Sequence, residues 1–269
     1  MEGVTMIYIT GDCHKDFTRF TDGSFPEVRE MTRDDYVIIC GDFGGVWCSS
    51  KEAQHSIDEF DLNWLEDRPF TTLFVDGNHE NFDELYKYPI KEWHGGKVHE
   101  IRPHVLHLMR GEIFEICGKK ILAFGGARSH DIQDGIIEWD EKGLWKYTAS
   151  QWEREGKVFR INHYSWWEQE LPNDEEIKNA YQNLERHDYK VDYIVTHCCP
   201  NSVLFDYVMN RFHDLSVARN YDDRNVLTNF LDEVNEKTEF AKWFFGHHHD
   251  DMAIFDKHIL LYHQLVRIA

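Results

Sequence analysis

Residues 6–14 read MIYITGDCH, a short apolar run that ends in glycine, aspartate and histidine. Two more short apolar runs are followed by glycine and then a polar residue: Tyr36–Cys40 is followed by GDFGG, and Thr71–Asp76 is followed by GNHE. Runs rich in β-branched and aromatic residues are typical of buried strands. Between the last two runs, Glu52–Leu65 carries apolar residues near helical spacing and predicts a crossover helix. Strand, helix and strand in this order predict βαβ units, so we expect an α/β fold with a helix-covered sheet.

Further strands are predicted along the rest of the chain, at Val105–Leu108, Ile113–Ile116, Ile121–Phe124, Val191–Thr196, Trp243–Phe245 and the hairpin of Met252–Phe255 with His258–Tyr262. The Gly118-Lys119 pair is predicted to form one of the turns. Residues 127–190 hold five of the nine Trp residues, with many acids and few aliphatic residues. We expect this stretch to be an insertion or cap within a single domain of residues 1–269, with a polar helix at Asp174–His187.

The composition excludes several classes of protein. The chain has 269 residues, with 29 Lys+Arg against 49 Asp+Glu, and a formal charge of −20. Hydrophobic residues at 42% exclude a disordered chain, and the acidity argues against a basic groove for long nucleic acid. No apolar run is long enough to cross a bilayer, and Met1–Thr10 lacks the features of a signal peptide. Six cysteines without CxxC spacing are typical of reduced thiols, so we expect a cytoplasmic protein without a membrane partner.

Polar side chains follow five of the predicted strands directly. In an open α/β sheet the carboxyl ends of the strands converge on one crevice, where ligands bind. The residues at these ends that can bind a metal are Asp12, His14, Asp42, Asn78, His197, His247 and His249. Mixed oxygen and nitrogen donors without a thiolate suit divalent Mn, Fe or Zn. One carboxylate can bridge two cations, and Asp42 is the only acid in its loop, so we expect it to be the bridge.

The motifs GDCH, GDFGG, GNHE, VTHCCP and GHHH occur in the order found in the calcineurin-like binuclear metallophosphoesterases, and the chain resembles a compact bacterial member of that superfamily. The resemblance implies two mixed β-sheets packed as a sandwich and flanked by α-helices. It implies two divalent metal ions, one held by Asp12, His14, Asp42 and His249 and the other by Asp42, Asn78, His197 and His247. It also implies that His79 faces the substrate phosphate without binding a metal.

Two positions depart from the pattern of many family members. Lys15 stands where many have glycine after the first histidine, and Gly45 stands where many have an acid three residues after the bridging aspartate. Neither position is a direct ligand. We therefore expect the metal site to be complete and the departures to affect its support and the leaving-group side of the pocket.

The resemblance implies a metal-dependent phosphoesterase that hydrolyses a small phosphodiester or phosphomonoester, including a nucleotide, by attack of a hydroxide bridging two metals. Asp42 and His79 are the catalytic candidates. A non-catalytic metal-dependent binding or scaffold protein and a nuclease on short oligonucleotides are the alternatives. The sequence leaves open the choice between diester and monoester, the metal identity and the oligomeric state.

The candidate substrate-binding residues are Asn78, His79, Arg128 and His130. A basic residue on the loop after Gly125-Gly126 could clamp a phosphate, although a surface loop that fixes the insertion explains Arg128 equally well. Asp76 or Glu80, adjacent in sequence, could hold the tautomer of His79, and the sequence does not choose between them.

Overall fold

The computed structural model describes residues 5–48, 52–213 and 223–269. The strands are β1 (Ile7–Thr10), β2 (Tyr36–Ile39), β3 (Thr71–Phe74), β4 (Ile90–Trp93), β5 (Gly96–Arg102), β6 (Val105–Leu108), β7 (Ile113–Ile116), β8 (Lys119–Phe124), β9 (Gly135–Ile137), β10 (Phe159–Ile161), β11 (Tyr193–Thr196), β12 (Lys242–Phe245), β13 (Met252–Ile254), β14 (His258–Leu260) and β15 (Val266–Arg267). The helices are α1 (Glu52–Glu66), α2 (Phe82–Leu85), α3 (Leu144–Arg154), α4 (Asp174–Arg186), α5 (Asn201–Phe212) and α6 (Val226–Lys237). Short 3₁₀ turns occupy Thr18–Phe20, Pro26–Glu30 and Glu168–Glu170.

Two mixed sheets carry most of these strands. The first has the order β15-β1-β2-β3-β6-β5-β4, and β1, β2, β3 and β6 run parallel. The second has the order β13-β14-β12-β11-β8-β7, and its four central strands run parallel. Each predicted strand is present, and so is the helix between the second and third strands. The α/β fold with two mixed sheets is therefore confirmed.

A layer of apolar side chains lies between the two sheets, which makes them a sandwich. This cluster joins Ile7 and Ile38 of the first sheet to Ile121, Val195 and Phe244 of the second, and all five are fully or almost fully buried. A second cluster covers the outer face of the first sheet and includes side chains of α1. A third covers the outer face of the second sheet and is formed with α4, α5 and α6. Because helices cover both outer faces, the central strands are buried on both sides.

One turn and five strands differ from the sequence expectation. The turn between β7 and β8 is Cys117-Gly118 and not Gly118-Lys119, because both central residues need positive φ (55° and 70°) and Lys119 is already the first residue of β8. Strands β4, β5, β9, β10 and β15 were not predicted. Most side chains of β4 are exposed at the edge of the first sheet, so its sequence lacks the apolar run of a buried strand.

Residues 127–190 contain two structural parts. Strands β9 and β10 form a parallel pair that packs with α3 around a small core of Ile137, Ala149 and Ile161. Helix α4 instead buries Ala180 and Leu184 in the core of the second sheet. The assignment of residues 127–190 as a cap within a single domain of residues 1–269 stays a prediction. Among the described residues, no helix combines the length and apolar character that crossing a membrane requires.

Candidate metal centre

The candidate ligands lie at the carboxyl ends of five parallel strands, three in the first sheet and two in the second. Backbone hydrogen bonds join these ends directly. The amides of Cys13 and His14 donate to the carbonyl of Asp42 at 3.1 and 2.7 Å, and the amide of Gly246 donates to the carbonyl of His197 at 3.0 Å. Between the sheets, the backbone amide of His247 donates to Asp12 Oδ1 at 2.9 Å, so the strand ends of the two sheets converge on one site.

The first group of ligand atoms comes from Asp12, His14, Asp42 and His249, and these atoms lie within 4.8 Å of one another. The Nε2 atoms of His14 and His249 are 2.9 Å apart, and His249 Nε2 lies 3.1 Å from Asp12 Oδ2. His14 Nε2 lies 3.6 Å from Asp42 Oδ2 and 3.7 Å from Asp12 Oδ2. Two donors bound at 2.0–2.2 Å to one ion are about 2.8–3.6 Å apart at ordinary coordination angles. Three of these four separations lie within this range and the fourth is 0.1 Å above it, so the four residues could hold one divalent cation.

The second group surrounds the buried imidazole of His197. Its Nε2 atom lies 3.4 Å from Asp42 Oδ1 and 3.3 Å from Asn78 Oδ1. The ring of His247 lies edge-on to it with centroids 5.0 Å apart. Asp42 thus has one carboxylate oxygen toward each group, as a bridging ligand requires.

A hydrogen bond fixes which nitrogen of His197 can bind a metal. Its Nδ1 atom lies 2.8 Å from the carbonyl oxygen of Cys40, so Nδ1–H donates there and Nε2 faces Asp42 and Asn78. Metal-binding histidines are usually oriented by such a bond from the second ring nitrogen.

Burial and charge shift the pKa values of this cluster. Burial alone raises the pKa of Asp42, but His197 and the other nearby imidazoles outweigh it and hold that pKa well below its ordinary value. Burial alone lowers the pKa of His197, but the carboxylates of Asp42 and Asp12 outweigh it and raise the pKa to about 10. The two buried carboxylates thus attract positive charge between them, which a divalent cation supplies as well as a proton does.

Four of the candidate ligands have left-handed backbone conformations, which are uncommon outside glycine: His14 (φ 45°), Asp42 (45°), His247 (70°) and His249 (48°). Such strained residues cluster at functional sites, where the surrounding structure holds them.

The glycines of the motifs make room for the carboxylates. A Cβ atom on Gly77 would lie 2.0 Å from Asp42 Oδ1, and one on Gly246 would lie 2.0 Å from Asp12 Oδ1. Any side chain at either position would displace a ligand on the neighbouring strand end. This explains why glycine directly precedes Asn78 and His247.

Comparison with known proteins agrees with this arrangement. Residues 5–251 match the family described as calcineurin-like phosphoesterase. The chain belongs to that family. It is also 24% identical over 144 residues to the lariat debranching enzyme of Danio rerio, a match that covers 49% of this chain and 24% of the relative. A lariat debranching enzyme A of Xenopus laevis is 24% identical over 143 residues, which is 49% of this chain and 26% of the relative. The alignments thus span about a quarter of the length of each relative.

Membership of the calcineurin-like phosphoesterase family bears on metal binding by this cluster. The family is dimetal-dependent, and the Asp and His donors described above could bind such ions. The individual ligand roles and the identity of the metals stay predictions.

The two basic candidates on the loop after Gly126 lie in different surroundings. Arg128 Nη2 is 2.7 Å from the carboxylate of Asp223, whose side chain is buried, so its guanidinium is already paired. This pairing agrees with the alternative of a loop-fixing residue. His130 Nε2 lies 3.4 Å from His247 Nε2, at the edge of the second group, and the ring is partly exposed.

Among the described residues, neither acid proposed to orient His79 has a hydrogen bond to its ring, and both have other partners. Asp76 accepts hydrogen bonds from Arg110 Nε at 2.9 Å and His107 Nε2 at 3.0 Å. Glu80 accepts from the backbone amides of Phe43 at 2.6 Å and Gly44 at 3.2 Å, so it holds the loop that carries Asp42. The expectation that one of them fixes the tautomer of His79 was wrong.

Sequence reasoning also missed two supports of the first loop. Arg19 donates to the carbonyl of Asp12 at 2.6 Å and to Thr10 Oγ1 at 2.9 Å. Lys15, one of the departures from the family pattern, has φ 67° and pairs with the buried carboxylate of Asp58. Lys15 and Asp58 are 43 residues apart, and Arg19 lies 7 residues after Asp12, outside the GDCH motif, so the motif reveals neither support.

Proposed function

We propose that this chain is a metal-dependent phosphodiesterase that acts on a small phosphodiester, such as a nucleotide derivative. The observation that carries the proposal is Asp42, a buried carboxylate with one oxygen toward His14 and the other toward His197. Two cations held by these groups would supply Lewis acidity that lowers the pKa of a coordinated water and stabilises negative charge on phosphoryl oxygens. The relatives named lariat debranching enzymes are phosphodiesterases, which supports the diester within the family.

The surroundings of His79 support a contact between its imidazole and the phosphoryl group. Its backbone amide donates to Asp42 Oδ1 at 2.8 Å, which holds the residue beside the ligands, and its ring lies 5.3 Å from that of His14. Burial lowers the pKa of His79 despite the attraction of Asp42, so the imidazole is neutral near pH 7. A neutral imidazole keeps one N–H, which can donate to a phosphoryl oxygen or to the leaving oxygen.

The charge around the site favours a diester over a monoester. Three described cationic side chains near the ligands are already paired with acids: Lys15 with Asp58, Arg128 with Asp223, and Arg160 with Asp131. A phosphomonoester carries close to two negative charges at pH 7, whereas a diester carries one. Because Lys15, Arg128 and Arg160 are each paired with an acid, none of these three side chains is free to balance the second charge of a monoester. The net charge of −20 further disfavours a long nucleic acid.

The test compares bis(p-nitrophenyl) phosphate with p-nitrophenyl phosphate in the presence of Mn²⁺, with Asp42→Ala as the inactive control. We expect kcat/KM for the diester to exceed that for the monoester at least tenfold. A preference for the monoester would overturn the diester assignment. Failure of both substrates with Mn, Fe, Co, Ni and Zn would favour the scaffold alternative, and turnover confined to short oligonucleotides would favour the nuclease.

A further inference from the structure

A buried chain of hydrogen bonds leads from Asn78 to the segment that follows the two-stranded insertion. Asn78 Nδ2 donates to Ser129 Oγ at 3.2 Å. Ser129 Oγ donates to Glu170 Oε2 at 2.6 Å, and the backbone amide of Ser129 donates to Glu170 Oε1 at 2.9 Å. Asn78, Ser129 and Glu170 are at most 5% exposed, so water does not compete for these bonds.

These hydrogen bonds determine which end of the Asn78 amide faces the ligands. The oxygen and nitrogen of an amide side chain have nearly the same shape, so its hydrogen-bond partners decide its orientation. An ionised carboxylate only accepts, and a hydroxyl has a single proton. Because that proton of Ser129 goes to Glu170, Ser129 Oγ can only accept from Asn78. The NH₂ group therefore faces Ser129, and Oδ1 faces His197 Nε2 at 3.3 Å.

We propose that Ser129 and Glu170 are positioning residues that aim the carbonyl oxygen of Asn78 at the second cation. An amide oxygen can bind a cation, whereas an amide NH₂ group cannot. The inference rests on the dimetal site of the proposed function. Glu170 ends the 3₁₀ turn Glu168–Glu170, and Arg110 Nη2 holds that turn through the carbonyl of Gln169 at 2.7 Å. The turn after the insertion thus completes the metal centre.

Glu170→Gln should reverse the direction of these hydrogen bonds while keeping the shape of the side chain. The backbone amide of Ser129 is a fixed donor, so the single carbonyl of the new glutamine must face it. Its NH₂ group then donates to Ser129 Oγ, and the hydroxyl proton, which has lost its acceptor at residue 170, is left with Asn78 as the other neighbour in this row of hydrogen bonds. We expect the Asn78 amide to turn and present Oδ1 to that proton, because a buried hydroxyl proton without an acceptor is costly, and this turn leaves the NH₂ group toward the cation. We expect the affinity for one of two Mn²⁺ ions to fall about 10–100-fold, the range for outer residues that orient metal ligands.

A second substitution should reverse this loss. Asn78→Asp has two oxygens, so it can accept the redirected proton of Ser129 and still face the cation. The double variant Glu170→Gln, Asn78→Asp should bind the second Mn²⁺ more tightly than Glu170→Gln alone. In an otherwise unchanged chain, Asn78→Asp places a carboxylate against the lone pairs of Ser129 and should weaken that site. A purely structural role of Glu170 predicts no such reversal.

The experiment titrates Mn²⁺ into the full chain by electron paramagnetic resonance of the free ion and by calorimetry. Asp83→Asn is the matched control, because Asp83 accepts from Trp167 Nε1 and His163 Nδ1, both at 2.8 Å, and so anchors the same insertion without touching Asn78. We expect two Mn²⁺ sites in the wild type and in Asp83→Asn, one weakened site in Glu170→Gln, and recovery in the double variant. If Glu170→Gln does not fold, Ser129→Ala should weaken the same site, since it removes the hydroxyl that selects the amide orientation.

The outcomes separate the two proposals. A wild-type chain that binds none of Mn²⁺, Fe²⁺, Co²⁺, Ni²⁺ and Zn²⁺ would refute the proposed function. A wild type with two sites and a Glu170→Gln variant, or a Ser129→Ala variant, with unchanged affinities would refute only the positioning role. An equal loss in Asp83→Asn, or a double variant no better than Glu170→Gln, would also refute it.

Discussion

Replacing His79 by alanine separates the contribution of its imidazole from that of its backbone. The amide of residue 79 donates to Asp42 Oδ1 at 2.8 Å, and alanine keeps that donor, so we expect metal content to stay unchanged. What is lost is an N–H that can reach the phosphoryl group. A hydrogen bond to a charged acceptor contributes about 1.5–3 kcal/mol, which corresponds to about 10–150-fold in rate at 1.36 kcal/mol per tenfold.

The leaving group distinguishes the two roles open to His79. p-Nitrophenolate departs as a stable anion, so His79→Ala should lower kcat/KM for bis(p-nitrophenyl) phosphate only by the hydrogen-bond factor of about 10–150-fold. Phenolate or an alkoxide needs a proton on departure, so the loss for diphenyl phosphate or an alkyl ester should approach 10²–10⁴-fold if His79 supplies it.

The assay measures kcat/KM for both esters and metal content by elemental analysis, with His263→Ala as a control because that histidine is exposed and is not a candidate ligand. Activity of His79→Ala equal to that of the wild type on the poor leaving group would refute the role assigned to His79. Loss of metal from His79→Ala would refute the prediction that only the backbone amide of residue 79, and not its imidazole, supports the metal centre.

Three further predictions concern the support of the site and the fold. Gly77→Ala should lower Mn²⁺ affinity at least tenfold in calorimetry, since its Cβ would lie 2.0 Å from Asp42 Oδ1; unchanged affinity would contradict this. Burial and a neighbouring histidine lower the pKa of His99 to about 4, so below its ordinary value of 6.5 the unfolded chain gains a proton that the folded chain does not. Stability should therefore fall from pH 6.5 to about 4, and the fall in Tm should be smaller in His99→Gln but not in the exposed control His55→Gln. Cys117→Asn should raise the free energy of unfolding by about 0.5 kcal/mol, because asparagine tolerates the positive φ of 55° at this turn. Urea denaturation should therefore show a higher midpoint, and a lower midpoint would contradict the prediction.

The strands and the donor set could be predicted from the sequence because their signals are local. Each ligand follows a short apolar run within a few residues, and parallel strands bring their carboxyl ends together whatever the loops between them do. The order of the motifs then indicated the family, which the match over residues 5–251 confirms. Strand β4 was not predicted, because an exposed edge strand lacks an apolar run.

The supports of the ligands could not be predicted in this way, because they join residues far apart in the chain. Ser129 lies 51 residues from Asn78, and Glu170 lies another 41 residues on. A serine and a glutamate at those separations have no signature of their own. The pairing of Arg128 with Asp223 is equally invisible, since a basic residue on a loop beside the site fits a phosphate clamp as well as an ion pair.

The most direct test of the dimetal site is the number and coupling of Mn²⁺ ions that the chain binds. Asp42 directs one oxygen to each ligand group, so two ions should bind about 3.5–4 Å apart and give an exchange-coupled electron paramagnetic resonance spectrum. Asp42→Ala should lose that coupled spectrum. A single ion per chain, two uncoupled ions, or a coupled pair that survives Asp42→Ala would contradict the bridging role of Asp42.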